Sequence, residues 1–169
     1  MHSAAKRLIK ATQGLLAPIS QTVYPYLSKS AAESKEKALN IIKKLIILVG
    51  SSAFIISLLV FILAAPIVNI VLGSQYQQSI IVLQILAFLP FIIGLATVYA
   101  TLFLLSFGHI REWSKIIITC SILHIIFILI FVGLFSLAHV GVSISWLFTE
   151  SCVLIWSYLS YKKHTYAHR

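Results

Sequence analysis

From Leu45 through Ile110 the chain runs 66 residues without one Asp, Glu, Lys or Arg. A soluble core never needs so long an uncharged run. A helix rising 1.5 Å per residue crosses the ~30 Å hydrocarbon core of a bilayer in about 20 residues, so this run holds two crossings. The stretch GSQYQQS, Gly73 to Ser79, is polar, uncharged and led by glycine, and it divides the run into spans over 45–72 and 80–107. After HIREWSK two more apolar stretches follow, 116–137 and 141–161. Composition agrees: 60% of residues are apolar and 10% charged, where a soluble domain has roughly 45–50% and about 25%. A soluble fold of this length would lack the polar surface to cover itself.

The acids are few: Glu33, Glu36, Glu112 and Glu150, with no Asp anywhere. Walker-type ATPases, aspartyl sites and carboxylate-rich metal clusters all need closely placed acids, so the chain reads as a non-enzyme without cofactor or metal. The net charge of +9 does not point to nucleic acid, because its cations are divided among membrane-bounded loops and form no continuous patch.

The segment 8–26 is long enough to cross but too polar to face lipid all round. At 100° per residue, Lys6, Lys10, Gln13, Ala17, Gln21 and Tyr24 fall on one stripe, with Leu8, Leu15, Ile19 and Tyr26 opposite. Such a helix borders a wet cavity; the alternative is an amphipathic helix lying on an anionic leaflet. Gly14, Pro18 and Pro25 are expected to bend or break it. Counting this segment, the fold class is an all-α polytopic membrane protein of about five transmembrane helices.

Lys and Arg gather in cytoplasmic loops. Segment 27–44 carries Lys29, Lys35, Lys37, Lys43 and Lys44; segment 108–115 carries Arg111 and Lys115; the tail after Tyr161 carries three more; the two intervening loops carry none. The C-terminus is thus expected in the cytoplasm. Trp113, Trp156, Tyr158 and Tyr161 suit the inner headgroup level and Tyr76 the outer. If 8–26 crosses, Lys6, Arg7 and Lys10 lie outside and violate the rule. Either they serve a cavity, or preceding helices that would orient the chain are missing. MHSAAKRLIK has no long apolar stretch of a signal peptide.

The stretches AKRLIKATQGLLAPISQTVYPYLSKSAAESKEKAL, NIVLGSQYQQSIIVLQILAFLPFIIGLA and VSISWLFTE together resemble the C-terminal part of bacterial polysaccharide-repeat-unit flippases, the O-antigen (Wzx-type) translocases. The proline pair in PIS…YP and the LGSQYQQS turn followed by LQILAFLPF are the most specific elements. The resemblance implies the multidrug/oligosaccharidyl-lipid/polysaccharide exporter superfamily, with a partial MATE-like bundle as its fold. Such transporters carry roughly a dozen helices in two bundles around a central cavity. This chain supplies about five and thus resembles a fragment, a truncated reading frame or one piece of a split gene. The implied function is translocation of undecaprenyl-diphosphate-linked oligosaccharide units across the bacterial inner membrane for O-antigen or capsule synthesis. The implied partners are the lipid-linked oligosaccharide, membrane lipids, and an N-terminal half or the polymerase machinery.

Lys6, Arg7 and Lys10 are the expected contacts to diphosphate or acidic sugar, through charge-assisted hydrogen bonds; Arg7 lies off the stripe, and interfacial snorkelling is the alternative for all three. Gln13 and Gln21 would meet sugar hydroxyls or bond neighbouring helices. Glu150 is the one acid inside the four apolar spans, and Ser143, Trp146 and Ser157 share its face. His124 on the preceding antiparallel span lies at a depth differing by only ~5 Å. The two could pair, either for proton or cation coupling or as a structural hydrogen bond. Asn69 and Gln84 read as helix-packing polar residues, Cys120 and Cys152 as packing thiols, and His164 and His168 as a solvated tail rather than a zinc site. Pro66, Pro90 and Gly94 are expected to bend their helices. The stretch from Lys29 to Lys44 reads as a cytoplasmic helix start, with Lys29 and Glu33, and Glu33 and Lys37, at i, i+4 spacing. The competing function is a non-transporting membrane assembly subunit whose polar faces pack against partners.

Overall fold

The structure, a computed structural model, describes residues 16–166 apart from 72, 74, 76 and 135–137. Among them it is helical throughout. The order is α1 (Leu16–Glu33), α2 (Lys35–Ile62), α3 (Ala64–Val71), α4 (Gln78–Leu86), α5 (Leu89–Ala96), a π-helical segment (Thr97–Leu104), α6 (Ile110–Ile128), a second π-helical segment (Leu129–Leu134) and α7 (Ala138–Tyr166). Among the described residues four stretches are long and apolar enough to cross a membrane: Lys35–Ile62, Ser79–Leu104, Ile110–Gly133 and Val140–Thr165. The expected first span, 8–26, lies partly outside the described residues.

Local chemistry sets the breaks. Ser34 caps α2, accepting a hydrogen bond from the Lys37 amide at 3.3 Å, so the helix starts at Lys35, ten residues before the apolar run. Pro66 has no N–H for the Ile62 carbonyl, and the helix is interrupted at Leu63; Pro90 likewise leaves the Leu86 carbonyl without its partner, and the interruption falls at Ala87 and Phe88. Pro25, expected to bend or break its helix, does not break it: it sits inside a continuous α1. Gly108, at φ 78°, lies in the left-handed region in the turn after the first π-helical segment, and the His109 amide closes back on the Leu104 carbonyl at 2.7 Å. Gly73, at φ 93°, turns the chain between α3 and α4.

α7 lies at the centre, packed against α4, α5, α6 and both π-helical segments, while α2 packs on α1 and α5. One apolar cluster gathers Leu27, Ile42, Phe103, Ile116 and Tyr161; a second gathers Val68, Leu83, Leu86 and Leu89 toward the other end. Lipid tails are as apolar as leucine, so packing rather than water exclusion must hold the helices together, and small residues permit the close approach. Ala38, Ala53, Ala96 and Ser57 are buried accordingly, and a Cβ on Gly50 would meet Leu95 Cδ2 at 3.3 Å. Large aliphatics point outward instead: Ile47 is 71% exposed and Ile118 60%. On a protein in water such a surface would aggregate; in a bilayer it is the lipid face.

All nine described Lys and Arg residues converge on one end of the bundle, because the starts of α2 and α6 meet the end of α7 there. The turn at Gly73–Gln77 carries none.

Candidate functional site

α7 carries a line of small hydroxyls. Ser143, Ser145, Thr149, Ser157 and Ser160 are all buried, inside a helix whose outer face bears the exposed Phe148, Ile155 and Leu159. Several hydroxyls return to the carbonyl four residues back, Ser145 to Gly141, Thr149 to Ser145 and Ser151 to Leu147, each at 2.8 Å. Ser145 and Thr149 are thus satisfied within their own helix and add little bulk, which lets α7 sit between so many neighbours, whereas Ser157 Oγ is buried without a hydrogen-bond partner among the described residues.

His124, from α6, reaches this line. Its Nδ1 lies 2.9 Å from Thr149 Oγ1. The single Thr149 proton is already committed to the Ser145 carbonyl, so the hydroxyl oxygen accepts and the imidazole donates from Nδ1. Glu150 is the next residue, but its carboxylate points to its own helix: Oε1 accepts from Trp146 Nε1 at 3.2 Å. His124 and Glu150 therefore share a neighbourhood without a direct hydrogen bond or ion pair between them among the described residues. Thr149 is the link that the sequence did not single out. A hydroxyl adjacent to an intramembrane acid and opposite a histidine was the available signal.

The other expected site residues divide. Lys6, Arg7, Lys10 and Gln13 lie outside the described residues. Gln21 is exposed on α1, as is Tyr24, while Val23 and Leu27 of the same helix pack into the core. Tyr26, expected on the apolar side, is 57% exposed and lines a groove with Asn40 and Lys44. Asn69 is exposed and Cys120 buried as a free thiol. Glu33 pairs with Lys37 at 3.7 Å.

A second cluster stands at the lysine-bearing end, and His164 belongs to it rather than to a solvated tail. Its ring stacks on His109 with centroids 3.8 Å apart and planes 21° from parallel, and its Nε2 lies 2.9 Å from Glu112 Oε2. Lys163 Nζ approaches the other Glu112 oxygen at 3.4 Å, and Lys35 Nζ donates to the His164 carbonyl at 3.5 Å. The cluster thus ties the start of α2, the start of α6 and the end of α7. Burial holds the His109 imidazole below its usual pKa; repulsion from His164, Lys35 and Lys163 adds to this, and Glu112 opposes it. Among the described residues no group of three or more His, Cys or Glu has the arrangement of a metal site.

Comparison with known proteins supports the resemblance drawn from the residues. The chain is 34% identical over 151 residues to a protein of Escherichia coli (strain K12) named "Putative O-antigen transporter"; the match takes in 89% of this chain and 36% of that protein. It is 32% identical over 155 residues to a protein of the same name from Shigella dysenteriae, covering 90% of this chain and 37% of the relative. The chain therefore spans little more than one third of the length of these relatives. No family model matches it, and no solved structure does.

Proposed function

We propose that the chain, similar over nine-tenths of its length to named O-antigen transporters, forms part of the path by which a lipid-linked oligosaccharide crosses the bacterial inner membrane. The observation that carries this reading is the 34% identity over 151 residues. Four apolar helices of spanning length support it. The cargo is an undecaprenyl-diphosphate-borne repeat unit, and no bond is made or broken. The physical problem is the diphosphate and the hydrated sugar, since a bare charge at the bilayer centre costs several kcal/mol or more. A cationic, hydrated groove lowers that barrier while the lipid tail stays in the bilayer.

In this reading Lys6, Arg7 and Lys10 hold the diphosphate, and Gln13 and Gln21 meet the sugar. The exposure of Gln21 on α1 suits a residue that faces a wet surface. Glu150, held by Trp146 beside the Thr149 and His124 pair, is the candidate for ion coupling. The path is completed by a second helical bundle, and the C-terminus lies in the cytoplasm, which the gathering of the described cations at one end favours.

The test is a chimera in which this chain replaces the matching segment of the Escherichia coli relative, expressed in a strain lacking that transporter. It should restore O-antigen on the cell surface, and Lys6→Ala with Lys10→Ala should lower the amount severalfold at equal membrane abundance. A chimera that inserts normally yet leaves the surface bare overturns the reading. Full export by the double variant removes the stripe from the mechanism.

A further inference from the structure

We propose that the groove between α6 and α7 at the lysine-bearing end holds the phosphate of an anionic phospholipid. This rests on the membrane placement of the chain and not on what it transports.

The groove has a volume of about 340 Å³ and is lined by Glu112 and Lys115 from α6 and by Trp156, Leu159, Ser160 and Lys163 from α7. The four α7 residues stand at i, i+3, i+4 and i+7, so they form one stripe facing α6. The stripe changes character along its length. Lys163 stands at the helix end; Trp156, seven residues earlier, lies ~10 Å deeper into the bundle. Trp156 is 39% exposed and Leu159 56%, which gives an apolar strip leading away from a cationic mouth. That is the profile of a phospholipid, charged at one end and apolar below, with an indole at the level where rings favour the headgroup boundary.

Charge decides which headgroup. The single acid, Glu112, has both oxygens engaged, one by His164 and one by Lys163. Lys115 has no ion-pair partner among the described residues and leaves the mouth with uncompensated positive charge. Ser160, buried in the groove wall, adds a hydroxyl that can donate to a phosphate oxygen. Basic pockets between transmembrane helices are where anionic headgroups bind. A second groove between α1 and α2, lined by Tyr26, Glu36, Lys37 and Lys44, has the same balance of two lysines to one acid, with Lys37 paired to Glu33 at 3.7 Å, so charge alone does not separate the two. Its apolar lining, Tyr26 and Ile41, comes one residue from each helix and forms no strip running away from the lysines along one helix, so it serves as the control.

The experiment uses the purified full chain in micelles titrated with lipids carrying brominated acyl chains, which quench nearby indoles. Brominated phosphatidylglycerol should quench the Trp156 emission, defined by difference against Trp156→Phe, at a severalfold lower mole fraction than brominated phosphatidylcholine. Lys115→Ala with Lys163→Ala should abolish that preference, Lys115→Arg with Lys163→Arg should keep it, and Lys37→Ala with Lys44→Ala should leave it intact. Equal quenching by the two lipids, or a preference that survives in the Lys115 and Lys163 alanine variant, overturns the proposal. Inorganic diphosphate at matched ionic strength should not displace the lipid. Displacement would mean that the site reads a free anion, which also overturns it.

Discussion

At the scale of single residues the sharpest constraint is the absence of a side chain at Gly50. It is buried in the middle of α2, where that helix meets α5, and an added Cβ would stand 3.3 Å from Leu95 Cδ2. The clash is with the far end of a flexible side chain, so Gly50→Ala can be absorbed by a small shift of Leu95 and gains helix propensity. Gly50→Val cannot be absorbed so, because its two γ carbons are stiff at χ1 and must occupy the Leu95 volume. Overpacking of this kind costs about 1–3 kcal/mol. The thermal midpoint in detergent should fall clearly for Gly50→Val and little for Gly50→Ala, and Leu95→Ala should recover part of the valine loss. Independent, additive effects of Gly50→Val and Leu95→Ala would show that the two positions do not meet.

The cluster at the ends of α2, α6 and α7 sets a pH dependence at the scale of elements. His109 is held below the ordinary pKa of 6.5, so the folded chain binds its proton less readily than the unfolded chain does. The contribution of the neutral ring is present above 6.5 and is lost as pH falls through 6.5 toward the lower folded value. Wild type should therefore lose stability relative to His109→Gln between pH 7.5 and 5.5, by less than about 1 kcal/mol because solvent screens the site. Thermal midpoints of the two proteins in detergent at both pH values would measure it, and a constant difference would contradict it. This cluster was not legible in the sequence. His109 and His164 lie on different helices far apart in the chain, and only tertiary packing brings their rings together. The four apolar spans were legible, since hydropathy and the polar GSQYQQS turn mark them directly. The start of α2 was legible in part: Lys29 to Lys44, with its i, i+4 pairs, reads as a cytoplasmic helix start, and Ala38, Ile42 and Leu45 repeat at helical spacing and are buried, but the break at Ser34 is set by its cap. The π-helical segment Thr97–Leu104 is set by which carbonyl each amide chooses, and no residue type in TVYATLFL announces that choice. For the candidate site, Glu150 and His124 could be named from their placement in apolar spans. That Thr149 rather than Glu150 meets the histidine depends on one residue of helical phase, about 100° around α7.

For the whole molecule, the distribution of charge fixes how the bundle must sit. The nine described lysines and arginines occupy one end, on four different elements, and the turn between α3 and α4 at the opposite end holds only Gly, Ser, Gln and Tyr. Moving the lysine-bearing end to the other side would carry several cations through the hydrocarbon, which insertion disfavours by roughly 2.5–3.5 kcal/mol for each charge at the centre, whereas moving the uncharged turn carries none. A fluorescent protein fused after Arg169, which folds only in the cytoplasm, should therefore be bright, and alkaline phosphatase inserted after Gln77, active only on the periplasmic side, should be active. The reciprocal pair of fusions should both be silent. If the phosphatase is active at the C-terminus, the lysine-bearing end faces outward, and the groove between α6 and α7 would then meet the outer leaflet. The same result would put α1 and the segment before it in the opposite sense, so that Lys6, Arg7 and Lys10 would obey the charge rule and would lose the argument that a cavity is what keeps them there.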